Sequence, residues 1–317
     1  MNSALEILSI TGPIYLTIAI GYAVTQRGLF SRADMQVFGK FTIHLALPAL
    51  LFNALSRRSV GEILNWQYLA AYALGTLAVV LGGLWWTRRV QKHPLAFSSV
   101  LTMGMSCPNS GFVGYPVMLL TLGAPVAGVA LALNMIVENL LIIPLLLAVA
   151  GSEGAPGQWR KALVQTLGGL LRNPMIWGIV GGFLFSLSGL HMPAPVARTI
   201  DLFSAASGAL SLFVIGGALV GLKPEGLKGT VAQIALGKLI VHPLLMVLVL
   251  LWLIPVDDPA LRTAALLTGA LPMMGIYTIL AQRFGHGAIS AAAQLVTTVV
   301  SFFTLSTLLW VLKVWPL

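Results

Sequence analysis

Charge is what this chain lacks. Of its 317 residues only 9% are Asp, Glu, Lys or Arg, and just nine are acidic. A water-soluble domain carries roughly 25% charged residues, so a soluble enzyme or binding module is excluded. Cysteine is nearly absent as well: the single Cys107 permits no internal disulfide and says nothing of compartment. Catalytic constellations are missing too. There is no His-Glu-x-x-His stretch, Asp257 and Asp258 fall in a loop rather than an apolar run, and Cys107 has no evident histidine partner. Neither an enzyme nor a resident metal or cofactor is expected. A receptor's soluble output domain is also lacking.

What is present is apolar. Hydrophobic residues make up 58% of the chain, and mean hydropathy is +0.93. Stretches of about 20 apolar residues, the length that crosses the ~30 Å hydrocarbon layer, recur throughout. They predict an all-α, multi-pass membrane protein embedded in lipid. Its ten spans fall near 6–24, 34–55, 66–87, 95–121, 124–150, 174–190, 198–221, 230–254, 260–284 and 287–312. The first stretch is preceded by no Lys or Arg, only Glu6, so it reads as a retained span. The net charge of +9 sits in loops, which argues for orientation rather than for nucleic acid. Loops after odd-numbered spans hold eleven basic residues (among them Arg88, Arg89, Lys92, Arg160 and Lys161), the other side five. That bias places the odd loops in the cytoplasm and both termini outside.

A longer connector, 151–173, divides the chain into five-span halves, 1–150 and 174–317. Trp159, Leu163 and Leu167 recur in it at helical spacing beside Arg160 and Lys161. The pattern suits either a helix on the membrane surface or a plain helical linker. Five is odd, so a duplicated unit must insert upside down. Two breaks support such an inverted repeat. "CPNSG" places Pro108 and Gly111 inside the fourth span, and "LPMMG" places Pro272 and Gly275 inside the ninth, both pairs offset by 164 residues. Pro13 and Pro174 open the first and sixth spans, 161 apart. Proline removes a donor and clashes with the preceding turn, and glycine tolerates non-helical backbone. Both spans are therefore expected to break and to cross near the midplane. Their second halves would start near Ser110–Gly111 and Met274–Gly275, with free N–H groups that favour an anion. Ordinary proline kinks are the alternative.

Intramembrane polar residues supply the coupling candidates. Glu138 is the one acidic residue near the middle of a span, and Asn134 lies four residues before it on the same face. It is either a proton- or cation-coupling carboxylate or a structural hydrogen-bonding group. Lys238 and His242, also four apart, would hold a substrate carboxylate or pair with Glu138; alternatively Lys238 snorkels to the interface. His44 reads as packing or proton relay. Thr102, Ser106, Gln294, Thr297 and Thr298 are oxygen ligands for a cation or hydroxyls bonded between helices. Tyr115 and Tyr277 follow the breaks and either line a cavity or pack.

"CPNSGFVGYPVMLLTLG", "LALPALLFNAL" in the second span and "GKLIVHPLL" in the eighth resemble the auxin efflux carrier family, including its bacterial malonate-transporter-like members. The resemblance runs the length of the chain. It implies the crossover fold shared with bile acid/sodium symporters, with scaffold and transport parts, outward termini and a homodimer through the scaffold spans. Carried over, the crossover prolines map onto Pro108 and Pro272 and the crossover asparagine onto Asn109. Met273 and Met274 stand where plant carriers have an asparagine near the crossing, and the long hydrophilic loop of many plant carriers is missing.

The expected function is a secondary transporter moving a small organic anion, a mono- or dicarboxylate such as malonate, across a bacterial inner membrane by alternating access. Pro108, Asn109, Ser110, Gly111, Pro272, Met274, Gly275 and Tyr277 would form the substrate site. Glu138, Asn134, Lys238 and His242 would couple transport to H+ or Na+. A cation-coupled symporter of bile-acid-like anions, or an anion channel, would use the same materials.

Overall fold

The computed structural model describes residues 3–152, 158–222 and 228–315, and among these every regular element is helical. Among the described residues seven helices are long and apolar enough to cross a membrane: Ile7–Gln26, Arg32–Ser56, Gly61–Val90, Ala124–Gly151, Ala194–Ala218, Gly229–Leu253 and Gly287–Val314. The sixth predicted span appears as Pro174–Ser188. Its 15 residues are framed by Asn173, whose side chain accepts from Met175 N, and by Gly189 at φ +63°. A capping asparagine, a proline at the first turn and a left-handed glycine are strong helix punctuation. The connector's predicted helix is present as Gln158–Leu170; residues 153–157 and Lys223 lie outside the described residues.

The fourth and ninth predicted spans are each interrupted. The fourth divides into Leu95–Ser106 and Ser110–Leu122. The ninth divides into Pro259–Ala270 and Tyr277–Gln282. Its second half therefore starts three residues later than expected from Met274. The reason is local: backbone at 273–274 is tied in an extended crossing, and a turn at Gly275–Ile276 must follow before helix can begin.

Several prolines within the helices are accommodated by π-turns. Thr42–Ala46, Glu138–Ile142 and Gly237–Val241 each end two residues before a proline: Pro48, Pro144 and Pro243. In each case the residue just before the proline donates to the carbonyl five back. Widening one turn moves the carbonyl that the proline ring would strike.

The chain forms two compact units, and each draws stretches from both sequence halves. One comprises residues 1–66, 111–133 and 171–221; the other comprises 67–110, 134–170 and 222–317. In the first, Ser3–Gln26 lies along Ala194–Ala218 at backbone contact. A Cβ on Gly216 would stand 1.9 Å from the Ile18 carbonyl oxygen, and one on Gly21 only 2.1 Å from that of Phe213. Small residues allow this approach where no hydrophobic force drives helices together. The end of Arg32–Ser56 is fastened to Ala194–Ala218 through Asp201, which accepts from Arg57 and from Asn53 Nδ2, both at 2.8 Å. The second unit contains the crossing and almost every polar residue singled out above.

Candidate functional site

Two hydrogen bonds build the crossing in the second unit. Asn109 N donates to Pro272 O at 2.8 Å, and Met274 N donates to Cys107 O at 3.0 Å, pairing Pro108 with Met273 in an antiparallel bridge. The breaks expose backbone that the helices no longer satisfy, and each supplies the other's partner. Pro108, Pro272, Met274 and Asn109 thus meet at one place. Asn109 is 5% exposed; a Cβ added to Gly275 would lie 3.9 Å from its Nδ2. Gly111 belongs to the first unit, where a Cβ added to it would lie 3.4 Å from Leu47 Cδ1. Tyr277 is fully buried, and no partner is found for its hydroxyl among the described residues.

Beside the crossing lies a connected set of buried polar side chains. The π-turn at Glu138–Ile142 carries the Glu138 carboxylate, 4% exposed. Its Oε1 accepts from Tyr72 OH at 2.8 Å and from Ser110 Oγ. Asn134, one turn earlier, accepts from Tyr68 OH at 2.7 Å and donates to Thr268 Oγ1 at 3.0 Å. Thr268 in turn donates to Ala264 O. The second π-turn, Gly237–Val241, carries Lys238. Its Nζ lies 2.8 Å from Gly269 O and 2.9 Å from His242 Nδ1, while His242 Nε2 lies 3.2 Å from Thr76 Oγ1. Lys238 and His242 are both fully buried.

Two expectations for Lys238 are corrected. It does not snorkel, because Gly237 against Met105 lets the helix pack closely and the side chain turns inward to the Gly269 carbonyl. Nor does it form a direct pair with Glu138. The ion pairs within 4.0 Å among the described residues are Arg57–Asp201 and Arg58–Glu62. His44 is exposed and bonds the Lys40 carbonyl. Ser106, Thr297 and Thr298 each donate to a carbonyl four residues earlier, and Gln294 accepts from Thr278. Thr102 Oγ1 is a buried hydroxyl with no partner found among the described residues. No three His, Cys, Asp or Glu side chains gather as a metal site among those residues. Tyr115 lines a cavity of about 350 Å³ in the first unit, with Asn53, Arg57, Arg58 and Glu62 on its wall.

Tyr68, Tyr72 and Thr76 were not anticipated from the sequence. Their signal was available: three hydroxyls at intervals of four on one face of an apolar span. Aromatic residues in such a span read as bulk, which hid it. The Gly269 carbonyl carries no sequence signal of its own.

Comparison with known proteins is consistent across the chain. Residues 11–311 match a family model described as membrane transport protein. A Rhizobium meliloti (strain 1021) protein named "Putative malonate transporter" is 28% identical over 321 residues, covering 97% of this chain and 96% of that protein. "Uncharacterized transporter YfdV" of Escherichia coli (strain K12) is 27% identical over 296 residues, 92% of each. An "Uncharacterized transporter" of Methanothermobacter thermautotrophicus is 26% identical over 223 residues, 68% of each.

Proposed function

The chain belongs to the auxin efflux carrier family of multi-pass membrane transporters, and from that premise we propose that it is a secondary carrier of a small organic anion. The substrate is a mono- or dicarboxylate, malonate being the first to test. The observation that carries the reading is the crossing itself: two broken spans hold Asn109 beside unwound backbone in an otherwise apolar protein. Non-helical backbone at membrane depth is tolerated where it is buried in protein or lines a water-filled cavity. A carboxylate there would accept from Asn109 Nδ2 and from backbone N–H groups that follow the breaks, which suit an anion.

In this reading the chain crosses a bacterial inner membrane ten times as two inverted five-span repeats, 1–150 and 174–317, joined by the cytoplasmic connector 151–173, with both termini outside. It works by alternating access, as a homodimer, without a cofactor. Glu138 takes up and releases the coupling proton. The malonate-related name of the Rhizobium meliloti relative supports the substrate class, as does the buried amide at the crossing. Counterflow in proteoliposomes tests it. Unlabelled malonate inside the vesicles should drive saturable, transient uptake of labelled malonate. Flux that never saturates would indicate a channel, and no flux would remove malonate as the substrate.

A further inference from the structure

Resting on the carrier reading above, we propose that the Lys238 ammonium is a built-in cation at the crossing, standing in for an inorganic coupling cation, so that transport proceeds without sodium. The argument begins with the broken ninth span. Pro259–Ala270 stops just before Pro272, so its last carbonyls have lost the N–H groups of a following turn and carry the negative end of the helix dipole. Buried helix ends of that kind call for a cation or a donor. Lys238 supplies both: its Nζ reaches Gly269 O at 2.8 Å from the neighbouring π-turn, with the side chain fully buried.

The remaining surroundings also suit a charged amine. His242 Nδ1, 2.9 Å away, accepts a second hydrogen bond, and its Nε2 then donates to Thr76 Oγ1. The tautomer is assigned from that network. A buried charge is tolerated only when its hydrogen bonds are made, and here the Gly269 carbonyl and His242 Nδ1 make two of them. Several side-chain oxygens that an inorganic cation would draw on are meanwhile engaged. Asn134 Oδ1 accepts from Tyr68, and Thr268 Oγ1 is held between Asn134 and Ala264 O. Thr76 Oγ1 faces His242 Nε2 at 3.2 Å.

The test uses the full chain in proteoliposomes with malonate as the probe. Wild-type exchange should be unchanged when sodium chloride is replaced by choline chloride. Lys238→Ala should slow exchange by about tenfold, equivalent to ~1.4 kcal/mol, and methylammonium chloride should restore it where choline chloride does not. Lys238→Gln, which leaves no space for methylammonium, should stay slow. A sodium requirement in the wild type, or no rescue of Lys238→Ala, would overturn the proposal.

A second readout separates this from failure of the carrier reading. If the wild type moves no malonate, the substrate is wrong, yet thermal stability of purified Lys238→Ala in methylammonium against choline still decides the matter. A rise specific to methylammonium supports the built-in cation, and identical curves contradict it. Should Lys238→Ala fail to fold, the wild-type curves in sodium and choline decide. Coincident curves support the proposal, and stabilisation by sodium contradicts it.

Discussion

Replacing Tyr72 by Phe deletes one oxygen and leaves the ring. Tyr72 is fully buried, and its hydroxyl donates at 2.8 Å to Glu138 Oε1, which also accepts from Ser110. Both hydroxyls converge on one oxygen, the arrangement expected of a charged acceptor. A hydrogen bond to a charged group contributes roughly 1.5–3 kcal/mol, whereas neutral interhelical bonds in a membrane protein average about 0.6 kcal/mol. Tyr72→Phe should therefore cost ~2 kcal/mol of unfolding free energy in the wild-type background. With Glu138→Gln the acceptor keeps its shape and loses its charge, so the same substitution should cost only ~0.6 kcal/mol. The difference, ~1.4 kcal/mol or a factor of ten in the unfolding equilibrium, is read from a double-mutant cycle by equilibrium denaturation in mild detergent. Equal costs in the two backgrounds would refute the reasoning, because Tyr72 would then not be acting on a carboxylate charge.

Two further outcomes follow from the same geometry. Glu138→Gln removes the one titratable acid of the cluster, so the pH dependence of malonate exchange should flatten while the protein remains folded; an unaltered pH profile in vesicles would leave Glu138 a structural group. Gly216→Ala places a methyl 1.9 Å from the Ile18 carbonyl oxygen, so two helices must separate. Overpacking of that kind costs about 1–3 kcal/mol, seen as a lower midpoint of thermal unfolding.

Much of this was legible in the sequence because membrane helices leave few ways to use proline and glycine. Pro108 with Gly111 and Pro272 with Gly275 located both breaks, and Pro174 located a helix start. The register of the ninth break was less legible. The sequence treats Met274 like any apolar residue, whereas the crossing takes its N–H for Cys107 O and delays the helix to Tyr277. The snorkelling alternative for Lys238 failed for a comparable reason. Its distance from the end of the span suggested an escape to the interface, but its direction is set by the helices packed around it and by a carbonyl that only a broken helix offers. The hydroxyls of Tyr68 and Tyr72 became visible as polar groups only when the fold showed what they touch.

The central claim is that Asn109 at the crossing holds a carboxylate. Its most direct measurement is malonate binding to the purified protein, followed by calorimetry or by the ligand-induced rise in thermal stability, for the wild type and Asn109→Ala side by side. The account predicts saturable binding by the wild type and binding weakened about tenfold or more by the variant, a loss of at least ~1.4 kcal/mol, with the variant still folded. Equal affinity in the two proteins would contradict it and place the anion elsewhere.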